Sequence, residues 1–233
     1  IFFEAWSLWR LTKFFGHGRS LRRNTVYSAA DIYFSAITPS ATGGQPASAY
    51  FMMKDNIPGT VVTAALICNL VMYTSAIVVM GIFAALANIG TFFGFSTVSK
   101  ILIIAGVVIQ LALLLFFVML LTKKGLMQNI CAGFVKFLGK LHIIRKVDKT
   151  LLKLQKKMDD YSQKTDLLKG KGKLLFVVFI FNLLQRLSQT LVPPLTYLAS
   201  GGELSKAFDV FVTQIYVLLG SNCVPIPGAV GVT

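Results

Sequence analysis

The chain has 233 residues, of which 55% are hydrophobic and only 14% charged, and it carries a formal net charge of +14. A soluble domain carries about a quarter charged residues, and three apolar runs here exceed the roughly 20 residues that cross a hydrocarbon core. These values exclude a water-soluble globular domain and predict an all-α integral membrane protein, a polytopic helical bundle.

The chain begins at Ile1 without a methionine and stops at Thr233 inside a Gly-rich segment, so it is expected to be a piece of a longer protein. Ile1 to Phe15 lacks the basic, apolar and small-residue order of a signal peptide and reads as a helix end or a surface helix. Arg10 to Arg23 then holds five of the 23 basic residues.

Thr25 to Ile37 is a mostly apolar run of 13 residues, and Ala47 to Ile57 is a second short run that includes Lys54 and Asp55. Neither spans a membrane alone. Between them lies the Pro/Gly-rich stretch SAITPSATGGQPASAY, Ser35 to Tyr50, where a continuous helix is disfavoured. Non-helical backbone at membrane depth is tolerated only inside protein or beside a water-filled cavity. The expectation is a re-entrant hairpin that enters after Arg22 and Arg23, turns between Thr38 and Gln45, and returns to Lys54.

Pro58 to Ile89 has no charged residue, and Val98 to Thr122 has only Lys100 at its edge. Both are predicted spans, joined by the neutral loop Gly90 to Ser99. Lys123 to Lys173 then gathers 14 basic residues against Asp148, Asp159, Asp160 and Asp166. The positive-inside rule places both basic zones in the cytoplasm and the neutral loop outside. Within 123–173, apolar residues recur at Met127, Ile130, Phe134, Leu138, Leu141, Ile144, Val147, Leu151, Leu154 and Met158, in steps of three or four. That rhythm predicts an amphipathic helix on an anionic lipid surface, fixing topology, collecting anionic lipid or docking another domain.

Leu174 to Gly202 is the third predicted span. It carries Arg186 beside Gln185 and Gln189, and Pro193-Pro194 should bend or break it. An intramembrane arginine faces the protein interior or a cavity. Arg186 would bind a lipid phosphate, or pair with Asp31 or Asp209. Leu204 to Cys223 is a last apolar helical run, which breaks at VPIPGAVGVT, Val224 to Thr233. This second element enters from the face opposite the first. Two interrupted apolar segments of opposite orientation predict an inverted-repeat-like bundle with a site where the broken ends meet. Helix N-termini there would hold an anion. The candidate lining is Thr38, Pro39, Ser40, Thr42, Gly43, Gly44, Gln45 and Tyr50 on one side, and Pro225, Pro227, Gly228 and Gly231 on the other. Arg186 would lie near the phosphate.

No P-loop, GxSxG or HExxH motif is present, and no catalytic residue is assigned. Cys68, Cys131 and Cys223 are widely spaced, and His17 and His142 have no ligand partner at metal-binding spacing, so no metal or cofactor is expected.

The segments TPSATGGQPASAYFM (Thr38 to Met52) and VPIPGAVGVT (Val224 to Thr233) resemble the two signature segments of the lysylphosphatidylglycerol synthase transmembrane region, the flippase-like domain of the bacterial multiple peptide resistance factor family. The resemblance covers essentially the whole chain. It departs from the family at Gln45, where relatives often have an acid. It implies one membrane domain over 1–233 in a bacterial plasma membrane, with 123–173 cytoplasmic. It also implies outward movement of an anionic or aminoacylated phospholipid, with resistance to cationic antimicrobial peptides. Implied partners are phosphatidylglycerol or its aminoacyl derivative, a synthase domain elsewhere in the same protein that would bind aminoacyl-tRNA, and further copies of the chain. The alternatives are the membrane part of a phosphatidylglycerol lysyltransferase and a non-transporting anchor that positions lipid.

Overall fold

The computed structural model describes residues 1–38, 42–140 and 147–221, and every regular element among them is a helix. In chain order these are α1 (Phe2–Phe14), α2 (Leu21–Ile37), α3 (Gly44–Lys54), α4 (Gly59–Ala87), α5 (Ile89–Gly94), α6 (Thr97–Thr122), α7 (Lys124–Lys140), α8 (Val147–Leu167), α9 (Gly172–Thr190), α10 (Val192–Ala199) and α11 (Leu204–Ser221). Among the described residues three stretches are long and apolar enough to cross a membrane: α4 with 29 residues, α6 with 26, and Gly172–Ala199 with 28. All three lie where the apolar runs predict.

The ends of these helices follow local chemistry. Ser20, Asn88 and Ser96 cap α2, α5 and α6 by accepting from the backbone N–H of Arg23, Thr91 and Ser99. Pro58 stands immediately before the first residue of α4. The third span breaks at Leu191, as Pro193-Pro194 predicts, because neither proline can donate to the preceding turn. On the turn before the break, the Thr190 hydroxyl donates to the carbonyls of Arg186 at 3.0 Å and Leu187 at 3.1 Å.

α4 is the axle of the bundle. It packs on α1, α3, α6, α8, α9 and α11. Its first half lies in one core cluster with Leu8, Leu11, Tyr27, Met52, Tyr161 and Val178. Its second half lies in another with Ile103, Val212, Ile215, Tyr216 and Leu219. α6 buries only Ile103, Gly106, Gln110 and Leu120. Many of its other apolar side chains, among them Ile101, Ile104, Val108 and Leu115, face outward. That surface suits hydrocarbon rather than water.

The single amphipathic helix expected over 123–173 is two helices, α7 and α8, which pack on each other. A step of three or four continues through two stacked helices as readily as through one, so periodicity does not locate the break. The two helices also spend their apolar faces differently. Tyr161, Thr165 and Leu168, at the C-terminal end of the α8 region, are buried, with the Tyr161 hydroxyl donating to the Leu120 carbonyl at 3.2 Å. The hydroxyl of Thr60 on α4 donates to Asp160. On α7, by contrast, Ile130, Phe134 and Phe137 stay exposed.

Candidate functional site

The stretch around the paired glycines forms a helical hairpin. α2 and α3 pack along each other, and their far ends are tied together. Asp55, just after α3, accepts the Tyr27 hydroxyl and lies 3.8 Å from Arg23, while Arg19 donates to its carbonyl at 2.6 Å. Both ends of the hairpin therefore lie together, at its basic edge.

The near ends meet around Thr38. Its hydroxyl donates to the Phe34 carbonyl at 2.6 Å and accepts the Gly43 N–H at 2.8 Å, so one side chain ends α2 and receives the chain entering α3. The glycines are there because the helices touch. A Cβ on Gly43 would stand 2.6 Å from the Thr38 methyl. One on Gly44 would collide with the Asp31 carboxylate and the Ser35 hydroxyl, and stand 2.6 Å from the Asp31 carbonyl oxygen. The start of α3 thus abuts a carboxylate of the protein itself. Gln45 completes the contact by donating its amide to Asp31 Oδ2 at 2.5 Å. Ser35 donates to Asp31 Oδ1 at 3.2 Å.

Asp31 leads inward to a buried polar core. Its carboxyl is a hydrogen-bonding neighbour of Glu4 on α1. Glu4 Oε2 accepts the Ser28 hydroxyl at 2.8 Å and the Gln185 amide at 3.1 Å. Both acids are nearly sealed, at 5% and 8% exposure for Glu4 and Asp31. One turn along α1, Ser7 donates to Asn69 of α4. Asn182 of α9 donates to Asn69 Oδ1 at 2.9 Å, to Ser7 Oγ at 3.2 Å and to the Val178 carbonyl at 2.9 Å. Three helices are thereby joined by side-chain amides and a hydroxyl where lipid offers no partner.

Arg186 borders this core from α9. Its guanidinium lies 3.9 Å over the Tyr73 ring and donates to Gln189 at 2.8 Å. Its positive charge acts on both Glu4 and Asp31, and its Nε has no partner among the described residues. Two expected groupings are thus divided. Thr38, Gly43, Gly44, Gln45, Asp31 and Arg186 border one polar region. Asp209 is exposed and accepts the Asn88 amide at 2.9 Å, at the junction of α4 and α5. Asp31 and Asp209 do not occupy matching surroundings. Tyr50 faces outward from α3 with its ring against Phe51, and Thr42 is exposed. Pro39, Ser40, Pro225, Pro227, Gly228 and Gly231 lie outside the described residues.

Glu4, Ser7, Asn69, Tyr73, Asn182 and Gln185 were not singled out as site residues from the sequence. A signal was available for most of them. An acid or amide inside an apolar run is costly unless it faces a partner, and Glu4, Asn69, Asn182 and Gln185 all meet that description.

A protein-family model described as Lysylphosphatidylglycerol synthase TM region matches residues 1–233, the whole chain. No curated protein and no solved structure matches the chain.

Proposed function

The chain belongs to the lysylphosphatidylglycerol synthase transmembrane family, and from that premise we propose that it moves phosphatidylglycerol or its lysyl derivative from the inner to the outer leaflet of a bacterial plasma membrane. The family supports a membrane role in the synthesis or translocation of lysylphosphatidylglycerol. One observation carries the choice of translocation: a hairpin too short to span, α2–α3, presses its glycine-bearing tip onto a buried acid–arginine cluster inside a bundle of spanning helices. Buried charge of this kind is expensive in a bilayer and marks polar pathways. α2–α3 would be re-entrant, with its Arg19, Arg23 and Asp55 end at the cytoplasmic face beside the basic α7–α8 region. Outward movement of a lysyl lipid would raise the positive charge of the outer surface and repel cationic peptides.

The family description itself favours a second reading, the membrane part of a phosphatidylglycerol lysyltransferase whose synthase domain lies elsewhere in the protein. Reconstituted vesicles separate the two. Fluorescent phosphatidylglycerol and its lysyl derivative are loaded, and quencher access to the outer leaflet is followed. Protein-dependent movement that is lost in Gly44→Leu and Arg186→Ala supports transport through this site. A folded protein that moves neither lipid favours the synthase reading.

A further inference from the structure

We propose that the Glu4–Asp31 carboxyl pair takes up one proton as the phosphodiester of an anionic phospholipid binds beside Arg186, so that lipid binding and proton uptake are coupled. The inference rests on the transport reading above and adds a protonation step to lipid binding.

The geometry supports it in three ways. First, two carboxyls and one guanidinium share a sealed region. With both acids ionised and Arg186 charged, the cluster carries one net negative charge and repels a phosphodiester. One proton makes it neutral, which removes that repulsion and leaves Arg186 free to pair with the incoming phosphate. A carboxyl pair in hydrogen-bonding contact exists in both charge states, with a proton between its oxygens or without one.

Second, the neighbours can serve both states. Gln45 donates to Asp31, and Gln185, 7% exposed, donates to Glu4, each through its amide nitrogen. The amide oxygens of both, Gln45 Oε1 and Gln185 Oε1, are buried without a partner among the described residues. Turning either amide over presents that oxygen to a carboxylic O–H. A group that donates to a carboxylate and can accept from an acid is what a proton-binding site needs.

Third, Gly44 presses the start of α3 against Asp31. The partial positive charge of that helix end is therefore already held by an internal carboxylate, which a lipid phosphate would have to replace. Protonation weakens the internal carboxylate as a competitor. The titratable and charged groups facing the pair are Glu4 itself on α1, Asp31 itself on α2, and Arg186 on α9. Arg186 in turn lies over Tyr73 of α4. The α3 neighbour, Gln45, is uncharged.

The test uses the whole chain in nanodiscs, with short-chain phosphatidylglycerol as the probe. Binding is measured from pH 5 to pH 9, and proton uptake is read with a pH dye in weak buffer. Uptake on binding means tighter binding at low pH, by at most about tenfold per pH unit for one proton. The wild type should show that slope over part of the range and take up about one proton per lipid. Asp31→Asn and Glu4→Gln should each bind with little pH dependence and no uptake; either folded variant is sufficient. Wild-type binding without proton uptake overturns the coupling and leaves the transport reading standing. Uptake that persists in both folded variants places the proton elsewhere and also overturns it. Absence of phosphatidylglycerol binding and movement at every pH overturns both.

Discussion

α4 has one polar neighbourhood and one apolar neighbourhood. Around its first half, α1, α2, α3 and α9 bury Glu4, Ser7, Ser28, Asp31, Asn69, Asn182 and Gln185. Around its second half, α6 and α11 bury Ile77, Met80, Ala84, Ile103, Val212, Ile215 and Leu219, with Tyr216 supplying a hydroxyl. A sequence that suggests two equivalent halves therefore builds unlike ones over the described residues. In the first, hydrogen bonds that tolerate little substitution add to the apolar packing. In the second, position is fixed by packing, which tolerates more.

The largest contrast should come from glycines. Gly44→Leu drives a side chain into the Asp31 and Ser35 side chains and against the Asp31 carbonyl, which as backbone cannot yield. We expect a loss of about 3 kcal/mol or more, or failure to fold, together with loss of lipid movement. Gly220→Ala is the matched control in the apolar half. Its Cβ would lie 3.4 Å from the Ile103 side chain, an ordinary contact, and helix propensity favours alanine by about 1 kcal/mol. Thermal melting in detergent compares them. Equal melting points would dissolve the distinction between the halves.

The next contrast is between polar side chains. Asn182→Ala removes the donor shared by Ser7, Asn69 and the Val178 carbonyl, leaving buried acceptors on two other helices. The cost should be about 1–2 kcal/mol, near the upper end for hydrogen bonds between membrane helices. Asp209→Asn, at an exposed site, should change the stability by less than about 0.5 kcal/mol. Arg186→Ala removes the guanidinium that faces Glu4 and Asp31 and stacks on Tyr73, so lipid movement should fall at least tenfold and the melting temperature should fall with it.

The sequence states the spans well because length and charge decide them. Long runs with at most one charge must be buried in lipid or protein, and α4, α6 and the α9–α10 stretch lie on those runs. The break at Leu191 is legible for a similarly local reason, since two successive prolines remove two donors. The meaning of Gly43 and Gly44 is only half legible. The sequence shows that backbone is approached closely there, but the approaching group is Asp31, one helix away. Glu4 and Gln185 are separated by 181 residues and meet through α1–α9 packing, to which the Trp6–Phe181 ring pair contributes at 5.4 Å. No local rhythm encodes such a pairing.

α8 offers a smaller, pH-dependent test. Burial pushes the Tyr161 phenol from 10.0 to about 12. The neutral form is thus favoured in the folded protein, where its hydroxyl reaches the Leu120 carbonyl. The sign follows from the unfolded chain ionising first. The contribution is fully present below pH 10 and is lost as pH rises from 10 to about 12. Proteolytic accessibility of α8 should rise over that window. Tyr161→Phe should remove the pH step and cost about 0.5–1.5 kcal/mol at neutral pH for the lost hydrogen bond.

The smallest effect is expected in the apolar half, at Tyr216. Its ring packs against Phe92 at 5.9 Å and Phe95 at 6.0 Å, while its hydroxyl is buried with no partner among the described residues. Tyr216→Phe keeps the ring contacts and deletes the unsatisfied oxygen. An unpaired buried hydroxyl is a cost to the folded state. The variant should therefore match the wild type or exceed it by up to about 1 kcal/mol in a melting experiment, the opposite sign to Asn182→Ala. A loss of 1 kcal/mol or more would mean that the hydroxyl is engaged in the folded protein. The second half would then hold a polar site of its own, and the two halves would be closer in kind than their buried side chains indicate.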